Sequence, residues 1–260
     1  MNLDLGHVVL DGTRIAYNLD KTCLGWVQHM SNYLSSINNP VLGLSGGVDS
    51  EAIAEIMHRN KINFTTVIFD YNGANQHDTA YAIRWCNLRH VEYLVLQIDP
   101  VAIWSDVDAC LELASITKCI SPQFLVYMHI YKRLAELGTP IMGMGDIEIV
   151  KTVHGTMLVE KTKHFTVELY KEHLRLPGTT LPFQRDRNAM SSWINDAFWQ
   201  RLELDQNSRH YKADWYKHQL GLLKRTKRDG FENLRTEDHK LRAILEQQWP
   251  EQLTLIETAI

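Results

Sequence analysis

No apolar run in this sequence approaches the roughly 20 residues that cross a bilayer, and no basic stretch followed by an apolar one stands at the amino end. Neither a membrane span nor a secretory leader is therefore expected, and the chain reads as cytoplasmic. Cysteine is sparse: Cys23, Cys86, Cys110 and Cys119 are far apart and none forms C-x-x-C. That spacing argues against a structural zinc or a vicinal redox pair, and it fits a reducing compartment. There is no excess of positive charge, since the formal net charge is −4. General affinity for nucleic acid or an anionic membrane is set aside on that ground. No repeat of solenoid period is present, and no Gly-Lys-Ser/Thr follows any glycine-rich loop, so there is no Walker loop. What remains is an ordinary globular composition, 45% hydrophobic and 22% charged over 260 residues. That length can bury one large core, or a core with a helical extension.

The chain divides by rhythm. Asp11-Gly12, between β-prone runs at 7–17, is a hairpin signal. Thr22 is a candidate cap for a helix to about Ile37, with Leu24, Val27, Met30 and Leu34 at helical spacing; Asn38-Asn39-Pro40 stops it. Residues 41–44 then read as a buried strand, 62–69 as a second and 91–98 as a third. Helices are expected from the 48–50 region to about Asn60 and from Asp78 or Thr79 to Arg89. The pattern loosens over 101–119. Ser121-Pro122 opens a helix that Gly138 ends, and Pro140 to Gly143 is a fourth strand. Strand and helix in alternation predict βαβ crossovers and a mostly parallel sheet. After about 150 the rhythm changes. A hairpin is expected around His154-Gly155, a helix over 165–174 and a loop over 176–187. Three further helices are expected over 191–204, near 208–223 and over 236–249. The division is therefore an amino-terminal hairpin and helix (1–40), an α/β core (41–150) and a mainly helical remainder (151–260) that shares a core with it.

One stretch carries chemistry. Strand 41–44 runs into Ser45-Gly46-Gly47-Val48-Asp49-Ser50 and then into a helix. Strand, tight loop and helix amino terminus together make an anion site, because loop N–H groups and the helix dipole converge. Two patterns overlap here. Gly43-Leu44-Ser45-Gly46-Gly47 fits G-x-S-x-G, the nucleophile elbow of a serine esterase-type α/β-hydrolase. That reading needs a later acid and histidine, for which Asp146 or Glu148 with His154 or His173 are the candidates. The elbow, however, normally follows several strands, whereas this loop follows the first of the α/β unit.

The second pattern, S-G-G-x-D-S, is complete in Ser45–Ser50. On these residues the chain resembles the PP-loop superfamily, the N-type ATP pyrophosphatases, and within it the synthetase domain of asparagine synthetase-like proteins. The resemblance covers about 40–150. It implies a mostly parallel sheet with helices on both faces (adenine nucleotide alpha-hydrolase-like) and a helical carboxyl-terminal extension. It also implies ATP, with its triphosphate on Ser45, Gly46, Gly47, Val48, Asp49 and Ser50 and its adenine near the end of the second strand, Val67 to Tyr71, which includes Phe69. Mg²⁺ on Asp49 would bridge the pyrophosphate. The implied reaction is adenylylation of a carboxylate, amide or carbonyl oxygen, with pyrophosphate leaving and a nitrogen or sulfur nucleophile displacing AMP. Gly143-Met144-Gly145-Asp146-Ile147-Glu148 resembles the G-E-G-A-D-E loop of asparagine synthetases. Met144 stands in place of a glutamate and the aspartate is one place early. On this likeness Gly143 and Gly145 are cofactor-binding candidates and Asp146 a second metal ligand. Arg225 and Lys227, in the basic run 224–228, are the residues expected to close over the pyrophosphate.

The resemblance also sets expectations about partners. The cysteine nucleophile of glutaminase domains does not follow Met1, so ammonia or an amine is expected from solution or a separate donor. The acceptor is a small molecule or a nucleotide. Trp193, Trp199 and Trp215 read as core or subunit-contact aromatics, which leaves a homo-oligomer open. A nucleotide-binding protein without catalysis is the third reading, prompted by the altered 143–148 loop.

Overall fold

The computed structural model describes residues 25–144, 148–152, 155–159, 162–180, 182–185, 189, 192–193, 196, 211–222 and 230–249. Four strands form its main sheet: β1 (Pro40–Gly43), β2 (Thr65–Asp70), β3 (Tyr93–Gln97) and β4 (Thr139–Met142). Their order is β3-β2-β1-β4 and every pairing is parallel. The inner strands are apolar on both sides, as a parallel sheet covered on both faces requires. Alternate residues feed two cores. Leu42, Leu44, Ile68 and Ile141 join one, packed with α1 (Trp26–Ser35), α2 (Val48–Arg59) and α3 (Gln76–Arg89). Val41, Val67, Phe69 and Met142 join the other, packed with α4 (Pro100–Ser105), α5 (Val107–Thr117) and α6 (Pro122–Ala135). The fold is thus the α/β sheet with helices on both faces that the sequence implies.

Both cores also draw on the remainder of the chain. Phe183 in α8 (Pro182–Arg185), Trp193, and Trp215, Tyr216 and Leu220 in α9 (Lys212–Leu220) pack into the first. Val167 and Tyr170 in α7 (Thr162–His173), Phe231, and Leu241 and Leu245 in α10 (Arg235–Gln248) pack into the second. Trp193 and Trp215 are therefore core residues, as read from the sequence. The hairpin is present as β5 (Glu148–Thr152) with β6 (Gly155–Val159), an antiparallel pair in which Thr152 faces Gly155. Residues 178–180 run beside β4: the Thr179 N–H donates to Pro140 O at 2.9 Å and the Met142 N–H to Thr179 O at 3.1 Å. Buried Glu168 fixes them, accepting the Thr180 N–H at 3.1 Å and the Thr180 hydroxyl at 2.8 Å, with Lys171 paired to its other oxygen.

Several expectations need correction. The loose stretch 101–119 is two helices, α4 and α5. Asp99 caps α4 by accepting the Ala102 N–H, with Pro100 in its first turn, and Asp106 caps α5 through the Ala109 N–H. The 176–187 loop contains the short α8. The second strand begins at Thr65, three residues later than read, and α3 begins at Gln76, before Asp78. Apart from these corrections, Cys110 and Cys119 are buried thiols that form no disulfide. Burial pushes the Cys110 thiol up to about 11, helped by the nearby Asp106 carboxylate. The amino-terminal hairpin at Asp11-Gly12 and the helix expected beyond 196 lie outside the described residues.

Candidate nucleotide site

The strand order places the site. From β1 the chain moves outward to β2 and β3, and then returns to lay β4 on the other side of β1. The loops after β1 and β4 open onto that switch point at the carboxyl ends of the strands, where open parallel sheets bind ligands. They touch there. A Cβ on Gly143 would lie 2.8 Å from the Ser50 nitrogen and 3.2 Å from the Asp49 carbonyl carbon. Surface hollows lined by Asn38, Asn39, Lys61 and Phe64 lie at the amino ends of β1 and β2, the opposite end of the sheet.

The loop between β1 and α2 is built for close approach. Gly46 has φ +84°, and a Cβ there would stand 1.9 Å from the carbonyl oxygen of Asp78. Only glycine fits that conformation and that space. Gly47 is the N-cap of α2 and supplies no side chain to cap it. The start of α2 turns the positive end of its helix dipole toward this loop, which favours an anion there. Two hydroxyls flank it. Exposed Ser45 accepts the Gly47 N–H at 3.3 Å, while buried Ser50 donates to Gly47 O at 3.0 Å. The two hydroxyl oxygens are 3.1 Å apart.

Asp49, in the first turn of α2, is met from across the molecule. Lys212 Nζ lies 2.9 Å from its Oδ2, and the Tyr216 hydroxyl donates to its Oδ1 at 2.9 Å. The Lys212 and Asp49 side chains are 12% and 13% exposed, so the pair is largely withdrawn from solvent. Aromatic packing holds α9 there. Trp215 lies 4.1 Å from Trp193 and 4.7 Å from Trp26, centroid to centroid. Arg59 adds a tie, donating to Leu220 O at 2.6 Å. Its Nε meets Glu55 at 2.7 Å, and Glu55 also accepts from Trp85 at 3.0 Å and Arg89 at 2.6 Å. Burial alone would push the Glu55 carboxyl up. The Arg89, Arg59 and Trp85 hydrogen bonds outweigh it and hold the group below the ordinary carboxylate value.

The end of β2 is closed by the chain itself. Asn75 accepts the Tyr71 N–H at 2.8 Å and donates to Phe69 O at 2.9 Å. Gly230, at φ +87°, presses on Asn75, and the next residue, Phe231, packs on Tyr71 with ring centroids 5.0 Å apart. The Phe69 ring is buried beneath Gly43, where a Cβ would meet it at 2.6 Å. Its side chain therefore belongs to the core, and what β2 offers a ligand near it is backbone.

The structure brings together Ser45, Gly46, Gly47, Val48, Asp49, Ser50 and Gly143. Gly145, Asp146, Arg225, Lys227 and His154 lie outside the described residues. Glu148 is placed only by its backbone, at the start of β5, and His173 is exposed at the end of α7. Among the described residues, no group of three or more His, Cys, Asp or Glu side chains is gathered for a metal. The Ser45 hydroxyl meets the Gly47 N–H and the Ser50 hydroxyl, with no histidine among its described partners. The positive φ of the turn falls on Gly46 and not on Ser45, unlike an elbow, whose strain sits at the nucleophile. Sequence reasoning missed Lys212 and Tyr216. Their one signal was the i, i+4 spacing that puts both on one helix face.

Comparison with known proteins gives three findings. Residues 39–135 match the family model described as asparagine synthase. The chain is similar in structure to an NH3-dependent NAD synthetase from Campylobacter jejuni solved with nitrate ion, at 16% identity and TM-score 0.38, over 90% of this chain and 96% of that one. It is similar to an NMN synthetase from Francisella tularensis at 16% identity and TM-score 0.36, over 84% and 94% of the two chains. No curated protein matches. The matched segment spans β1 to the end of α6 and contains the whole Ser45–Ser50 loop.

Proposed function

From the match of residues 39–135 to the asparagine synthase family model, we propose that the protein is an ATP-dependent, amide-forming synthetase of the PP-loop class that releases AMP and pyrophosphate. The observation carrying this reading is the uncapped start of α2, with Gly46 at φ +84° and Asp49 in its first turn, at the switch point of the sheet.

Each residue has a physical task. The N–H groups of 46–50 receive the terminal phosphates of ATP, with the Ser45 and Ser50 hydroxyls beside them. An acceptor oxygen attacks the α-phosphorus, the bond from that phosphorus to the bridging oxygen breaks, and pyrophosphate leaves with the bond's electron pair. A nitrogen nucleophile, ammonia or an amine, then displaces AMP from the activated carbon. The leaving group gains charge as it departs, and donors already aimed at it lower the barrier without reorganising. Asp49 is the residue that would hold Mg²⁺, which neutralises phosphate charge and orients the chain of phosphates. The donor set fits: Mg²⁺ with a nucleotide takes only one or two protein carboxylates, and Asp49 lies in the first turn of α2, beside the loop expected to hold the phosphates. Gly143 keeps the second loop against the same turn.

Incubation with ATP, Mg²⁺, ammonia and a panel of carboxylic acids tests the reading. AMP and pyrophosphate in equal amounts are expected, dependent on one acid. ADP and phosphate would overturn it. Hydrolysis of an activated ester without ATP, abolished in Ser45→Ala, would favour the hydrolase. ATP binding without turnover on any acid would leave a nucleotide-binding protein.

A further inference from the structure

Asp49 carries the charge that a divalent cation needs, yet both of its oxygens are engaged by α9. Lys212 takes Oδ2 and Tyr216 takes Oδ1, each at 2.9 Å. We propose that Lys212 and Tyr216 latch Asp49, so that Asp49 must exchange the Lys212 ammonium for the divalent cation before the nucleotide loop is competent. This rests on the reading above, and it adds two residues of opposite effect. Tyr216 is a positioning residue that fixes the carboxylate rotamer. Lys212 is a resident counter-cation that sets how much divalent ion the site requires.

The geometry argues for exchange over sharing. A divalent ion on Asp49 and an ammonium 2.9 Å from the same carboxylate would be like charges within a few ångströms, in a place with little water to screen them. The latch cannot drift away by itself. Tyr216 is buried among Trp26, Trp193 and Trp215, and Arg59 pins the far end of α9 through Leu220 O. Lys212 stands at the first residue of α9, so its flexible side chain can swing off Asp49 while the helix stays packed. Once released, its charge is still next to the start of α2, where phosphates would sit. Because Lys212 and the cation compete for one group, each weakens the other by the same factor.

The test is a calorimetric titration of ATP binding at saturating ATP over a series of Mg²⁺ concentrations, for wild type, Lys212→Met and Tyr216→Phe. In Lys212→Met the Mg²⁺ concentration giving half-maximal binding is expected to fall about fivefold or more, the lower range of such couplings. Tyr216→Phe frees one oxygen but loosens the rotamer, so its midpoint is expected to rise while kcat falls. Far-ultraviolet circular dichroism checks that each variant is folded, and Tyr216→Phe preserves the ring packing should Lys212→Met fail that check. An unchanged or raised midpoint in Lys212→Met, or an unchanged one in folded Tyr216→Phe, overturns the latch alone. Wild-type protein that binds no ATP at any Mg²⁺ concentration overturns the synthetase reading and the latch with it.

Discussion

Gly46 and Gly47 are neighbours in sequence but are held to different requirements. At Gly46 the positive φ and the Asp78 carbonyl, 1.9 Å from where a Cβ would stand, both forbid a side chain. At Gly47 a Cβ would meet only the Ser45 hydroxyl oxygen, at an ordinary 3.4 Å, and φ is −73°. Gly46→Ala is therefore expected to lose about 2 kcal/mol or more of stability, with ATP binding abolished. Gly47→Ala should stay within about 1 kcal/mol of wild type. Urea unfolding midpoints and calorimetric ATP titrations separate the two. Asp49→Ala makes a third case. It removes the carboxylate that meets the Lys212 ammonium in a largely buried place, a change that costs about 1–3 kcal/mol. Turnover should fall by on the order of 10²-fold or more while far-ultraviolet circular dichroism still shows the folded chain. A variant that keeps full pyrophosphate release would remove Asp49 from the site. The glycines and Asp49 were legible in the sequence because their roles are local: turn, cap and first helical turn lie within six residues. Lys212 was not, because 163 residues separate it from Asp49 and it is brought back by aromatic packing around Trp215 and the Arg59 bond to Leu220 O.

At the level of elements, α2 is the joint of the site. Its amino end presents the loop, and its carboxyl end is tied to α3 through Glu55 and to α9 through Arg59, which Glu55 also holds. Removing one partner of a fully buried charge pair costs about 3–5 kcal/mol. Arg59 and Arg89 are 48% and 27% exposed here, so the expected loss for Glu55→Gln is smaller, about 1–3 kcal/mol. The pH dependence has a definite sign. The Glu55 carboxyl is held below the ordinary carboxylate value of 4.5 in the folded chain. Its stabilisation is therefore present above pH 4.5 and lost as pH falls through the folded value. The difference in urea midpoint between wild type and Glu55→Gln should be level at neutral pH and narrow only below about 4.5. A gap that persists undiminished under acid would mean that the carboxylate charge is not what ties these helices. Elements, too, were unequally legible. Ser121-Pro122 marks α6 in sequence and in structure, because cap and first turn coincide with a strong apolar face. Asp99-Pro100 carries the same signal for α4, but α4 has six residues, too few for a period to show.

At the scale of the whole molecule, the sheet has two cores and neither is complete by residue 150. The first takes Phe183, Trp193, Trp215 and Tyr216 from the later chain, and the second takes Val167, Tyr170, Phe231, Leu241 and Leu245. The change of rhythm near 150 is thus a change of architecture in a chain that goes on feeding both cores. Removing residues 151–260 would uncover α1 and α2 on one face and α4 to α6 on the other, apolar surface far larger than a soluble monomer normally exposes. The fragment 1–150 is expected to lack a cooperative urea transition and to bind a hydrophobic dye. In the full chain, tryptophan fluorescence reports the first core through Trp26, Trp85, Trp193 and Trp215 and the second through Trp104 and Trp249, and helical circular dichroism reports the helices packed on both. Their midpoints should coincide, as they do when one transition dissolves one unit. Separated midpoints, or a fragment 1–150 with its own sharp transition, would mean that the α/β half is stable alone. In that event α9 could leave Asp49 by undocking as a helix, without the side-chain exchange that a shared core imposes.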